Sequence, residues 1–165
     1  MDITRAYVKS ILPRRDPEGH KGSFGKVYCL CGAVGYTGAP VLAASAAVRS
    51  GSGLVYLGVP EDIWPIVAVK CDSVMPSPLP SQQGKLALAA EDAVRQRIDG
   101  CDAVLIGCGM GRSEESDALT RRLLDVDKPL VLDADGINAF ETHIPEIKRR
   151  QGKVTVMTPH EGEFF

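Results

Sequence analysis

At 165 residues the chain is long enough to bury a substantial core yet reads as one domain at most, spanning 1–165. Hydrophobic residues at 44%, charged residues at 24% and a formal net charge of −2 are ordinary for a soluble globular chain and give no basic surface for a polyanion, so nucleic acid is not expected as a partner. The five cysteines, at 29, 31, 71, 101 and 108, form no CxxC pair or zinc-spaced cluster, Asp2, Arg5 and Lys9 interrupt any apolar leader, and no stretch reaches membrane-spanning length, so no membrane partner and a reducing cytoplasmic setting are expected.

Residues 3 to 12, ITRAYVKSIL, fit a short amphipathic helix that Pro13 stops. The polar, turn-prone run RRDPEGHKGSFG follows and carries His20 and Lys21 either to the sheet edge or into solvent. Lys26 to Cys31 is a short apolar run that predicts a buried strand, and it ends in Gly32, Gly35 and Gly38. Glycines there let the backbone approach a ligand or take positive φ, and the helix that follows offers free N–H groups. Their three-and-three spacing matches neither the dinucleotide fingerprint nor a phosphate-binding P-loop. Thr37 is placed to cap that helix and Pro40 falls in its first turn; Ala39, Ala43, Ala44, Ala46 and Ala47 keep it slim enough to lie close to a sheet. Function is expected at this turn, against the plainer reading that the glycines only make it tight.

Gly51 and Gly53 end the helix, and Leu54 to Val59 predicts a second buried strand. Pro60 is expected to open a helix with Glu61 and Asp62 in its first turn and Trp64, Ile66, Val67 and Val69 on its apolar side, Trp64 serving packing rather than ligand stacking. MPSPLP at 75 to 80 reads as an extended, proline-broken segment, and Leu86 to Ile98 as a helix. Ala103 to Ile106 predicts a third strand running into a second glycine turn, Gly107-Cys108-Gly109-Met110-Gly111. Ser113 is placed to cap the next helix, whose Glu114 and Glu115 argue against a phosphate sitting directly on that end. PLVLDAD delivers Asp133 and Asp135 to a strand end, where a carboxylate pair can hold a hydrated magnesium ion or a hydroxyl, or one of the two can cap the helix starting at Gly136. Val154 to Met157 predicts the last strand, with His160 beyond it, either orienting a substrate or structural. Strands alternating with helices throughout predict a three-layer α/β/α domain with a mainly parallel open sheet.

The runs HKGSFG, GAVGYTGAPVLAASAAVRSGSG, GCGMG, LVLDADGIN and TPHEGE, in this order, closely resemble the ADP- or ATP-dependent NAD(P)H-hydrate dehydratases of the ribokinase-like superfamily, over nearly the whole chain from about Leu12 to Phe165. The resemblance implies repair of hydrated nicotinamide cofactors: the hydroxyl added to the ring of the S epimer of hydrated NADH or NADPH is phosphorylated with ADP or ATP and Mg2+, and phosphate then leaves. Hydroxide is a poor leaving group at neutral pH and a phosphate ester a good one, so the enzyme's task is positioning and charge stabilisation. By the resemblance Ala39, Gly109 or Gly111, and His160 contact the hydrated dinucleotide, Asp133, Asn138 and Glu163 stand near the metal and phosphate, and Lys21 lies in a basic loop at the rim of the site. It also implies an NAD(P)H-hydrate epimerase as functional partner and a homo-oligomer.

The chain departs from the family pattern at Ser23, where the family usually has Asp in KGDFG. The family's lysine-glycine segment and GTGD turn, whose Asp acts as base, are not found before Phe165, so an apparently truncated domain carrying the substrate-binding part, with no catalytic base of its own, is the expectation. Two other readings stand beside it. One is a non-catalytic dinucleotide-binding or assembly module; the other is a vitamin-precursor kinase of the same superfamily, disfavoured by HxxE and the KGxFG loop.

Overall fold

A computed structural model describes residues 2–163; Met1, Phe164 and Phe165, the outermost positions of the expected domain, lie outside the described residues. Among the described residues eight strands form, β1 (Lys26–Leu30), β2 (Leu54–Pro60), β3 (Met75–Leu79), β4 (Ser81–Gln82), β5 (Lys85–Leu86), β6 (Ala103–Ile106), β7 (Leu130–Leu132) and β8 (Thr155–Met157). Six of them make one sheet in the order β3-β2-β1-β6-β7-β8, every neighbouring pair parallel, and β4 with β5 makes a separate antiparallel hairpin. The helices are α1 (Arg5–Ile11), α2 (Gly38–Arg49), α3 (Trp64–Lys70), α4 (Glu91–Asp99), α5 (Glu114–Arg122) and the single turn α6 (Asp135–Asn138).

The two-residue period of β1 sets the layers. Cys29 and Cys31 point into one core with Ala44 of α2 and Val67 of α3, while Tyr28 and Leu30 point into the other with Val94 of α4 and Leu119 of α5. Both faces of the central strands are therefore covered, which is why β1 and β2 read as unbroken apolar runs. At the far edge cover thins on the α2 side: among the described residues β8 pairs only with β7, and Val156 on it and Val154 just before it are exposed.

Several local expectations are corrected. β2 continues through Pro60, Glu61 and Asp62 lie in a turn, and α3 begins only at Trp64. Trp64 does pack at the sheet edge, its indole N–H donating to the Pro76 carbonyl at 3.1 Å. The proline-broken segment is itself an edge strand: Pro76 and Pro78 face Leu57 and Val59 of β2, and an edge strand needs no N–H on its outer side. The helix expected from Leu86 starts later, because Leu86 belongs to the β4–β5 hairpin and a 3₁₀ turn at Leu88–Ala90 precedes α4. Thr37 sits at the N-cap of α2 without a side-chain hydrogen bond to it, and α1 is capped by Thr4 but buries none of its residues. No helix among the described residues is long and apolar enough to cross a membrane.

Candidate functional site

The connection after β1 carries the chain to β2 on one side, and the return from β3 brings it back to β6 on the other, so β1 and β6 flank the point where strand order reverses. Crevices at such points, outside the carboxyl ends of the strands, are where open α/β sheets take ligands. Both glycine turns lie there and are bonded to each other: Gly32 N–H donates to the Cys108 carbonyl and Gly107 N–H to the Leu30 carbonyl, each at 3.1 Å.

The second turn has its shape for packing reasons. Gly107 has φ +128, and a Cβ on it would fall 1.8 Å from the Asp133 carbonyl oxygen, so the turn lies directly on the end of β7. Gly109, at φ +65, rests against Ala39 at the start of α2, where an added Cβ would come within 2.7 Å of the Ala39 methyl. Gly111, at φ +66, neighbours Ala33 and the stem of Lys85. The structure thus brings Ala39, Gly109 and Gly111 into one neighbourhood, beside the exposed side chains of Val34 and Tyr36.

Asp133 and Asp135 follow β7, and neither side chain caps α6; Ala134 occupies the N-cap position, with φ +49. The expected cap role is corrected, and the reason is that both carboxylates are used across the site. Asp135 Oδ2 accepts from the Gly111 N–H at 2.8 Å and so fixes the second glycine turn. Asp133 accepts from Thr158 Oγ1 at 2.7 Å and from Cys108 Sγ at 3.2 Å. Thr158 and Cys108 carried no distinct signal as partners of this carboxylate, because the pairing depends on strand order.

His160, beyond β8, is exposed and sits in a local loop. Its Nδ1 accepts from the Gly162 N–H at 3.0 Å, which leaves the proton on Nε2 in the neutral ring, directed at Glu163 Oε1 3.3 Å away. Glu163 Oε2 also accepts from the His160 backbone N–H at 3.0 Å, so this buried carboxylate is a positioning group for the histidine. Glu163 and Asn138 line a polar hollow of 220 Å³ with Arg112 and Glu141, next to an apolar hollow of 360 Å³ lined by Phe140, Ile147 and Met157.

Lys21 is not brought to these residues. Its 3₁₀ turn, Lys21–Phe24, precedes β1, and its carbonyl lies against Gly53 just before β2, so it stands at the amino ends of the strands, opposite the glycine turns. The expected place at the rim is corrected within one chain.

Cys31, at the head of the first turn, has its thiol pushed well above the usual range by a hydrogen bond with Cys108 and by burial, and burial pushes Cys29 up to about 12. Neither is a nucleophile at neutral pH, since the thiolate is the reactive form. What the site offers is side-chain-free backbone at the two turns, oriented carboxylates and a histidine, a set suited to close approach of a ligand and to positioning. No group of three metal-ligating side chains converges among the described residues. Magnesium usually keeps several waters and takes one or two carboxylates together with substrate phosphates, and the fixed Asp133 fits that limited role.

Comparison with known proteins gives a consistent picture. The family model for NAD(P)H-hydrate dehydratase matches residues 27–165. The chain is 42% identical over 166 residues to the bifunctional NAD(P)H-hydrate repair enzyme Nnr of Salinibacter ruber, covering 99% of this chain and 31% of that protein. It is 34% identical over 163 residues to the ADP-dependent (S)-NAD(P)H-hydrate dehydratase of Bacillus subtilis, covering 98% and 54%. Among solved structures, the Bacillus subtilis ADP/ATP-dependent NAD(P)H-hydrate dehydratase co-crystallised with ATP and Mg2+ superposes with a TM-score of 0.71 at 28% identity, over 98% of this chain and 53% of that one. A ribokinase-like protein of Enterococcus faecalis superposes with a TM-score of 0.78 at 20% identity, over 98% and 54%, and shows the shared fold. The chain spans about a third of the bifunctional relatives and about half of the dehydratases it matches.

Proposed function

The chain belongs to the NAD(P)H-hydrate dehydratase family, and on that premise we propose that residues 1–165 form one ribokinase-like unit that binds the S epimer of hydrated NADH or NADPH for ADP- or ATP-dependent dehydration. The observation that carries this reading is the meeting of the two glycine turns at the strand-order reversal, with Gly109 seated on Ala39 and Gly111 held by Asp135. Bare backbone there allows a flat ring and a pyrophosphate to approach closely.

The nicotinamide end is assigned to Ala39, Gly109 and Gly111, with His160, its ring oriented by Gly162 and Glu163, contacting the same ligand. Asp133, Asn138 and Glu163 are assigned to the phosphate region, and Mg2+, when bound, supplies charge neutralisation to the transferring phosphoryl group. The chain's own residues orient the ring hydroxyl, which takes the terminal phosphoryl group of ADP or ATP and leaves AMP or ADP; the ester oxygen then departs as phosphate while the neighbouring ring carbon gives up a proton, restoring the double bond of the reduced ring. An epimerase supplies the S form from the R form, which fits the bifunctional character of the Nnr relatives, and a cytoplasmic setting fits the cofactor pool it serves.

Titration calorimetry with hydrated NADH and hydrated NADPH tests the reading, with binding expected for both and the intact cofactors weaker. Absence of binding to either hydrate overturns it. A return of reduced-nicotinamide absorbance after adding ADP or ATP reads the reaction itself.

A further inference from the structure

The β4–β5 hairpin was not singled out by the sequence, yet it touches both glycine turns. The Gly84 carbonyl accepts from the Val34 N–H at 2.8 Å in the first turn, and Lys85 Nζ donates to the Arg112 carbonyl at 2.8 Å beside the second. Gly84, at φ +75, is buried against Val34 so closely that a Cβ would lie 2.4 Å from a Val34 methyl. The hairpin is therefore held to the first turn by backbone and to the second by Lys85.

Lys85 itself is in an unusual electrostatic position. Its stem lies over Gly111, with Cε 3.3 Å from where a Cβ would stand, and the residue is half-buried. Arg112 next to it is paired with Glu141 and Asp117, and Asp135 is occupied by the Gly111 N–H. Among the described residues Lys85 has no carboxylate in ion-pair reach, and the carbonyl it bonds uses one of its three N–H groups. An ammonium with two open donors and no carboxylate partner is left at the mouth of the two turns, its stem packed on Gly111, and an anionic ligand group satisfies it.

We propose that Lys85 is an anion-binding residue of this site that contacts the pyrophosphate of the dinucleotide, an assignment that rests on the functional reading above. The hairpin then acts as a third wall of the site, adding an unpaired positive charge beside the two turns.

The test uses the whole chain and the variants Lys85→Met, which keeps the stem over Gly111, and Lys85→Arg, which keeps the charge, with hydrated NADPH and inorganic pyrophosphate as probes at low and high salt. Lys85→Met is expected to weaken both probes about tenfold, the value of one charge-assisted hydrogen bond, and to flatten the salt dependence of affinity. Lys85→Arg should stay within about threefold of the parent, because a guanidinium also serves phosphate. Unchanged affinity in Lys85→Met, or a loss with the salt dependence intact, overturns the proposal and leaves Lys85 a structural tie to Arg112. Lys85-dependent binding of pyrophosphate without any binding of the hydrate supports Lys85 and sinks the dehydratase reading instead. Binding of neither probe by the parent chain overturns both.

Discussion

Thr158 Oγ1 donates a hydrogen bond to Asp133 Oδ1 at 2.7 Å, joining the turn after β8 to the end of β7, while Cys108 ties the other oxygen of the same carboxylate to β6. Thr158→Val keeps the shape and removes the donor. Affinity for hydrated NADPH should fall about tenfold or more, since a hydrogen bond to a charged group is worth about 1.5–3 kcal/mol, and Thr158→Ser should restore it. Calorimetry alongside thermal unfolding separates this from a general loss of stability.

The glycines of the second turn differ in what crowds them, and substitution should reveal the difference. At Gly107 the obstacle is backbone, the Asp133 carbonyl and the Gly136 nitrogen, so Gly107→Ala should cost about 3 kcal/mol or more in denaturant unfolding. At Gly109 the nearest atom is the Ala39 methyl, so Gly109→Ala should cost about 1–2 kcal/mol, and adding Ala39→Gly should regain part of it while the positive-φ cost remains.

Arg150 is only 3% exposed and fills all its donor directions: Thr155 Oγ1 and the carbonyls of Leu124, Val126, Lys128 and Val154. Arg150→Met should destabilise the fold by about 3 kcal/mol, since several buried carbonyls lose their partner at once. Arg150→Lys should recover only part of this, having three donors on one point rather than five in a plane. Urea unfolding of the three proteins checks both statements.

Glu91 supplies the pH dependence. Burial disfavours its charge, but hydrogen bonds from Arg95 and Arg122 outweigh that and hold the carboxyl below its ordinary value of 4.5. A lowered acid contributes stability above its unfolded value and loses it as pH falls through the folded one. Urea midpoints should therefore drop below pH 4.5 more steeply in the parent than in Glu91→Gln, which lacks that contribution at every pH.

The β8 edge predicts association. With one side of β8 unpaired and Val154 and Val156 exposed, sedimentation should show concentration-dependent oligomers, and Val156→Lys, placing a charge on the edge strand, should shift the distribution toward monomer. A monomer at every concentration contradicts this.

The two strands that flank the crevice, β1 and β6, were legible because each announces itself twice, by an apolar run and by the glycines that end it. Ala103 to Ile106 followed by GCGMG is such a pair, and the strand lies where the run predicts. Ser113 capping α5 was legible for the same kind of reason, its bond to Ser116 N being local. The reading stopped short, or failed, where tertiary context decides. Pro76 and Pro78 break a central strand but suit an edge, and nothing local says which of the two Met75–Leu79 is. Asp135 resembled a cap in the chain, but its true partner, Gly111, is supplied by another strand. Lys21 adjoins the first strand in sequence at its amino end, and a parallel sheet puts that end a strand's length from the glycine turns.

The bonding of β1 to β6 also bears on how the molecule acquires its shape. Lys26 N–H donates to Asp102 Oδ2 at 2.8 Å across 76 residues of sequence, and the two glycine turns meet over a similar separation. Everything between, including β2, β3 and the hairpin, must be threaded into a closed loop before the crevice exists, and loop-closure entropy must be met before those contacts can repay it. Refolding should accordingly form the helices early and the crevice late, so that ligand competence lags behind the far-ultraviolet signal, and on the ribosome no binding pocket can exist until the second glycine turn has emerged.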